Sequence, residues 1–204
     1  MKRLEDYINL GPYTHIVGVD EVGWGALAGP ITVAGVILPI DVVSDIKDSK
    51  RYTTEKARKK AWAKFLEENN SVVKDVWHAS VLSINEMGHG ECLDSLTCGL
   101  SYQLMEHARN LNFTPLLVVD GECKFDLPRP NIALPKADGF VPAVSAASVF
   151  AKITRDDLMR DIEDLDEWEF YSNKGYGTRH HIAMLKTHGE LEGIHRKSSI
   201  HNFI

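Results

Sequence analysis

The 204-residue sequence predicts an α/β protein. Three observations carry this expectation. Two short apolar runs, at residues 15–19 and 115–119, each end abruptly at aspartate, as buried strands do when they deliver acids to a sheet edge. Helical spacing of apolar residues recurs between and after them, and glycine or proline punctuates the boundaries.

Taken in order, His15-Ile-Val-Gly-Val leads to Asp20-Glu21, Gly23, Gly25, Gly29 and Pro30 mark a turn, and Ile31 to Leu38 is a β-branched run stopping at Pro39. The pair reads as a wide β-hairpin. Thr53 or Thr54 caps a helix in which Ala57, Ala61, Trp62, Phe65 and Leu66 keep helical spacing and Lys56, Lys60 and Lys64 form a second face. A strand is expected over 71–79, and a helical pattern from Ile84 to Leu111 is weakened by Gly88, Gly90 and Gly99. Pro115 to Gly121 repeats the strand-then-aspartate design, and a short strand follows around Ile132 to Leu134. Pro142 opens a long helix in which Val144, Ala147, Ala151, Leu158, Ile162 and Leu165 recur, with Ser148, Lys152 and Arg155 on another face. The loop Asn173 to Thr178 leads into a last helix, Arg179 to His188, closed by Gly189. The length suits a single domain over 1–204, with a core over about 1–165 and a helical C-terminal region over about 166–204.

The composition, 44% hydrophobic and 25% charged, is that of a soluble globular protein in which charges interrupt every apolar run, and the N-terminus carries acids where a signal peptide would be apolar. A cytoplasmic location without membrane contact is the expectation. Cys92, Cys98 and Cys123 form no C-x-x-C pair, and His180, His181, His188 and His195 match no zinc spacing, so reduced thiols and solvated or substrate-facing histidines are expected. The net charge of −6 conceals a basic stretch from Lys47 to Lys64, while acids crowd residues 156–169. Spacing and context exclude a dinucleotide-binding glycine loop, because a strand follows the Gly23 to Gly29 segment, and no phosphate-binding G-K-S/T loop or G-x-S-x-G elbow is present.

What remains is carboxylate chemistry. Asp20, Glu21 and Asp120 end strands and Asp138 precedes the Pro142 helix, so four acids can meet at one sheet edge. Such a group repels itself unless hard divalent cations are present; two ions about 4 Å apart activate a water and stabilise a leaving oxygen in phosphodiester hydrolysis. Adjacent strand residues face opposite ways, so Asp20 and Glu21 share a site only if the strand breaks, which Gly23 and Gly25 would permit. On spacing alone the acids serve equally well as solvated strand ends.

The segments DEVGWGALAGP (20–30), DSK (48–50), VDG (119–121), KADGFVPAVSAASVFAKITRD (136–156), KGYGTRHH and HRKS occur in the order found in ribonuclease HII, and the chain resembles that family from about His15 to Ser198. The resemblance implies a ribonuclease H-like fold, a five-stranded mixed sheet flanked by helices. It implies Mg2+ or Mn2+ at Asp20, Glu21, Asp120 and Asp138, and a ribose reader made of Gly23, Gly25 and Tyr176. The substrate it implies is an RNA/DNA hybrid, or duplex DNA containing a ribonucleotide, cut on the 5′ side of the ribonucleotide to leave 3′-hydroxyl and 5′-phosphate ends, by a monomeric enzyme. Lys50, Ser148, Lys152 and Arg155 are candidate phosphate or site-edge contacts.

Two positions depart from the family pattern. Trp24 stands where the family has arginine or lysine; it can stack on a base or sugar, or pack on Tyr176 or a nearby helix. Ser199 replaces a phenylalanine after H-R-x-S, which bears on local packing. A hybrid-binding protein that cuts weakly because of Trp24, and a DNA-processing nuclease on the same fold, are the alternatives; cleavage of a single-ribonucleotide duplex beside an all-DNA duplex separates them.

Overall fold

The computed structural model describes residues 3–70, 72–122, 126–162 and 166–204. Five strands, β1 (His15–Val22), β2 (Ile31–Pro39), β3 (Val73–Ala79), β4 (Pro115–Asp120) and β5 (Asn131–Leu134), form one sheet in the order β3-β2-β1-β4-β5. The first three run antiparallel in sequence order, whereas β4 pairs parallel to β1 and β5 parallel to β4. The sheet is therefore mixed and five-stranded, as expected.

The helices are α1 (Glu55–Glu68), α2 (Val81–Met87), α3 (His89–Asn110), α4 (Pro142–Arg160), α5 (Phe170–Asn173), α6 (Arg179–His188) and α7 (Lys197–Ile200). Thr54, rather than Thr53, caps α1 by accepting a hydrogen bond from the Ala57 N–H at 3.1 Å. The weakened helical pattern resolves into two helices because Gly88 takes φ +92°, ending α2 and starting α3. The α4 pattern was expected to run on through Ile162; the helix ends at Arg160, Ile162 turns into a separate apolar cluster, and Leu165 lies outside the described residues. A further short helix, α7, follows the one expected to be last. Cys123 also lies outside the described residues.

Strand alternation divides β1 between two cores. Ile16 joins Val36, Leu116, Val118 and α4 residues Val144 and Ala147 on one face; Val17 and Val19 join Val33, Leu100, Leu104 and Met105 beneath α3 on the other. Gly18 explains how closely α4 approaches: a Cβ there would lie 2.3 Å from the Ala143 carbonyl carbon and 2.4 Å from the Val144 nitrogen. The long helix therefore crosses β1 at a point where no side chain intervenes, which fixes its N-terminus beside the strand's acidic end.

The basic and acidic stretches of the sequence meet one another. Arg58 of α1 bonds Asp156 of α4 at 3.1 Å, and Lys59 bonds Asp157 at 2.7 Å. Part of the apparent basic stripe is thus spent on helix pairing, while Lys56 and Lys60 stay exposed. A third apolar cluster unites Leu27 and Ala28, Met159 of α4, and Trp168, Phe170, Leu185 and Ile200 of the C-terminal region. No helix among the described residues is long and apolar enough to cross a membrane.

Candidate active site

The pairing of β1 with β4 ends at Val19↔Val119, so the next residues, Asp20 and Asp120, stand where the two parallel strands part. The expected break in β1 does not occur: its pairing with β2 continues through Asp20↔Ala34, Glu21↔Val33 and Val22↔Thr32. The opening is made on the β4 side alone. The strand's alternation sends Asp20 toward α4, beside Ser148, and Glu21 toward the α3 side. Both still line one cleft with Asp120, which acts electrostatically on each of them.

The electrostatics place the four acids in one field. Burial, then Glu21, Asp120 and Asp138, push the Asp20 carboxyl well above the usual carboxylate range. Burial and Asp120 push Glu21 up, and burial, Asp120 and Asp48 push Asp138 up. Repulsion of this kind raises the protonated fraction unless a cation enters. Asp120 acts on all three neighbours, and its Oδ1 accepts the Ala137 N–H at 2.6 Å, one residue before Asp138. Lys50 donates from Nζ to Asp138 Oδ2 at 3.5 Å with its side chain 80% exposed. Partial burial pulls this ammonium down, but Asp138, Asp48 and Asp20 outweigh it and the net shift is upward.

Among the described residues no three His, Cys, Asp or Glu side chains enclose an ion position by themselves. The donor set is nonetheless all oxygen, anionic and mutually repulsive, and that chemistry fits a hard divalent cation which keeps open positions for water or phosphate. The cleft beside the acids is lined by Val19, Asp20, Glu21, Trp24, Leu93, Asp94, Thr97, Val119, Asp120, Gly121 and Glu122. Asp94 and Glu122 are additional acids at this cleft that the strand-end argument does not reach.

Trp24 is half exposed over the cleft. Its ring meets His89, the first residue of α3, edge-on with centroids 5.9 Å apart. His89 in turn pairs its two ring nitrogens with the hydroxyls of Ser198 at 2.9 Å and Ser199 at 3.0 Å. Trp24 and Ser199 therefore meet on either side of one imidazole.

The two glycines flanking Trp24 differ. Gly23 has φ +95°, and a Cβ there would lie 2.3 Å from Arg155 Nε and 2.9 Å from the Pro30 carbonyl. Gly25 has open space around it. The first is demanded by the fold; the second leaves the backbone approachable from outside.

Two buried arginines hold this loop. Arg155, expected at a phosphate or site edge, is fully enclosed, and its guanidinium donates to the carbonyls of Pro30 at 2.9 Å, Lys174 at 2.9 Å and Ala28 at 3.1 Å. All three of its nitrogens are engaged within the protein, so the expectation of a direct phosphate contact is corrected. Arg196, also fully buried, donates to the carbonyls of Gly23 at 2.6 Å, Gly29 at 2.7 Å, Pro30 at 2.7 Å and Trp24 at 3.3 Å. Burial and the neighbouring Arg155 pull its guanidinium down to about 9, still charged at neutral pH. Its only sequence signal was membership in the HRKS segment.

Tyr176 lies against this framework. Arg155 Cζ sits 5.2 Å and Lys152 Nζ 5.4 Å from its ring centroid. Lys152 also donates to Asp156 at 2.6 Å, and Ser148 is buried, donating to the Ser49 hydroxyl at 3.0 Å. The structure thus groups Asp20, Glu21, Asp120, Asp138, Lys50 and Ser148 at the strand ends, and Gly23, Trp24, Gly25, Lys152 and Tyr176 around the adjoining loop. The histidines were expected to be solvated or substrate-facing. For His181 and His195 that is wrong: both are fully buried and face each other at 3.0 Å between their Nε2 atoms.

A family model described as ribonuclease HII matches residues 17–202. The chain belongs to the ribonuclease HII family. It is accordingly a nuclease. Ribonuclease HII of Rickettsia canadensis is 32% identical over 200 residues, covering 97% of this chain and 92% of the relative. That of Anaplasma phagocytophilum is 34% identical over 201 residues, covering 95% and 90%. Among solved structures, the ribonuclease HII of Archaeoglobus fulgidus, determined in complex with PCNA, aligns with a TM-score of 0.65 at 24% identity over 92% of this chain and 96% of that one. Bst-RNase HIII in complex with Mn2+ aligns at 0.64 and 20% identity, covering 94% of this chain and 71% of that one. These structural likenesses establish the ribonuclease H-like fold.

Proposed function

We propose that this chain cuts the RNA-containing strand of RNA/DNA hybrids and, in duplex DNA, the phosphodiester on the 5′ side of an embedded ribonucleotide, leaving 3′-hydroxyl and 5′-phosphate ends. The observation that carries the reading is the parting of β1 and β4 at Val19↔Val119, which sets Asp20, Glu21, Asp120 and Asp138 in one repulsive field beside the Gly23 to Gly25 loop. These four acids would hold Mg2+ or Mn2+, and bound divalent ions would supply an activated water and charge stabilisation at the leaving oxygen.

The chain's own residues do the rest. Asp120, fixed by the Ala137 N–H, keeps the acids at a set spacing. Lys50, exposed at the rim and 3.5 Å from Asp138, offers its ammonium to a phosphate next to the site. The open backbone at Gly25 and the ring of Tyr176 read the ribose, since only the 2′-hydroxyl or the shape it imposes distinguishes RNA from DNA at a given position. Trp24 stacks on a base or sugar instead of pairing with a phosphate, and the 166–204 segment forms the substrate-facing side through its cluster with Leu27 and Ala28.

Mapping the cut on an end-labelled duplex with one ribonucleotide tests this. The expected product carries a 3′-hydroxyl that a polymerase extends. A cut on the 3′ side of the ribonucleotide, or equal cutting of an all-DNA duplex, would reject the reading.

A further inference from the structure

We infer that His181 and His195 form a neutral imidazole pair that positions Tyr176, an assignment resting on the reading above that Tyr176 reads the ribose. The hydrogen-bond pattern fixes their protonation. The Leu191 N–H donates to His195 Nδ1 at 2.8 Å, so that nitrogen carries a lone pair and the proton of a neutral His195 is on Nε2. His195 Nε2–H then donates to His181 Nε2 at 3.0 Å, which must accept. The proton of His181 is left on Nδ1, and it donates to the backbone carbonyl of Tyr176 at 3.0 Å. Every donor in this chain meets one acceptor, and a proton added to either ring would set two N–H groups against each other.

The surroundings keep the pair in that state. His181 and His195 are 0% and 1% exposed, enclosed by Trp168 and Phe170. The relay ends on the Tyr176 peptide, whose N–H donates to the Asn173 carbonyl at 3.0 Å and whose carbonyl also accepts the Thr178 N–H at 2.8 Å. Gly175, just before Tyr176, accepts the Leu27 N–H at 2.8 Å, and Arg155 holds the Lys174 carbonyl, so the loop is tied on its N-terminal side by the carbonyl clamps. The His181 bond gives the Tyr176 carbonyl a second donor, a side chain from α6 that fastens the loop to that helix. On the other end, His195 pairs with Ala28 in an isolated β-bridge, and the next residue, Arg196, grips the Gly23 and Trp24 carbonyls. The pair therefore links the two loops that flank the ribose, and it acts as a positioning device with no contact to substrate.

The test compares His181→Phe, His181→Asn and Tyr176→Ala with the parent chain for kcat and KM on a single-ribonucleotide duplex, together with thermal midpoints. Asparagine keeps a donor near the position of Nδ1; phenylalanine keeps the ring but no donor. A slipped Tyr176 displaces reacting atoms by ångströms, so His181→Phe is expected to lose about 10–100-fold in kcat with a folded midpoint, and His181→Asn to regain most of it. Nitrogen chemical shifts of the imidazoles should show an Nδ1–H tautomer at His181 and Nε2–H at His195 at neutral pH, a readout that stands if His181→Phe fails to fold. Parent-like cleavage by His181→Phe while Tyr176→Ala is impaired would overturn the positioning role alone, as would the opposite tautomers or equal losses in both His181 variants. Parent-like cleavage by Tyr176→Ala would remove the assignment of Tyr176 and, with it, this inference.

Discussion

Replacing Arg196 by methionine tests how the loop from Gly23 to Pro30 is built. The guanidinium supplies donors to the carbonyls of Gly23, Gly29 and Pro30 at 2.6–2.7 Å, with a longer contact to Trp24. In Arg196→Met, Pro30 keeps a donor from Arg155 at 2.9 Å and Gly23 keeps the Ala26 N–H at 3.3 Å, so the Gly29 carbonyl loses its donor and Gly23 loses the shorter of its two. Each buried acceptor left unpaired costs about 1–3 kcal/mol. Opposing this, the variant no longer buries a second cation beside Arg155, which burial and that neighbour already disfavour. The balance is a destabilisation of about 2 kcal/mol, or a fall of roughly 4–8 °C in thermal midpoint for a chain of this size. Urea unfolding followed by tryptophan fluorescence measures it, and single-turnover cleavage on the folded variant shows whether the loosened loop slows the cut. A loss under about 1 kcal/mol with unchanged cleavage would refute the clamp, because it would mean the loop carbonyls find other partners.

The remaining expectations use the same contacts. Gly23→Ala should destabilise by about 2–4 kcal/mol, since it combines φ +95° with a 2.3 Å overlap on Arg155, while Gly25→Ala, with no atom within 4 Å, should fold normally and raise KM; chemical denaturation and steady-state kinetics separate the two. Asp20→Asn and Asp120→Asn should abolish cleavage with the fold retained, and Asp20→Asn should raise the metal-free thermal midpoint because it removes one charge from the repulsive group; a lower midpoint would contradict that repulsion. Burial first, then His181, holds His195 at about 4 against 6.5 unfolded, so the unfolded chain takes up a proton that the folded chain refuses. Stability from this group is full above 6.5, falls as pH drops toward 4, and is lost to the extent of at most roughly 3 kcal/mol. The gap in stability between the parent and His195→Gln, measured by urea unfolding, should narrow over that window, and a constant gap would count against it. Trp24→Arg should steepen the salt dependence of duplex binding by about 0.7–0.9 in the log–log slope for one added phosphate contact; an unchanged slope would place residue 24 away from the backbone of the substrate.

Local signals made the strands and helix starts legible. The apolar runs ending at Asp20 and Asp120, the Thr54 cap and the proline opening α4 are each written within a few residues, and the structure follows them. The acids were legible for the same reason. How Asp20 and Glu21 share an edge was not, because the opening depends on where β4 stops pairing, a relation between strands about 100 residues apart in sequence. Arg155 read as a surface cation on a helix face, yet its acceptors lie at residues 28, 30 and 174. Nothing near it in sequence announces carbonyl partners so distant. The same holds for His181 and His195, whose spacing of 14 residues has no motif and acquires meaning only when α6 and the following turn bring the rings to 3.0 Å. Charge counting failed similarly, since Arg58 and Lys59 find Asp156 and Asp157 across the α1–α4 contact.

Whether four acids serve one metal-dependent cut is tested by cleavage of a duplex with one embedded ribonucleotide in Mg2+ or Mn2+, then in chelator, beside an all-DNA duplex and the Asp120→Asn variant. The expected result is a single cut immediately 5′ of the ribonucleotide that requires the divalent ion and Asp120 and spares the all-DNA control. Cleavage that persists in chelator, or that Asp120→Asn leaves intact, would contradict it.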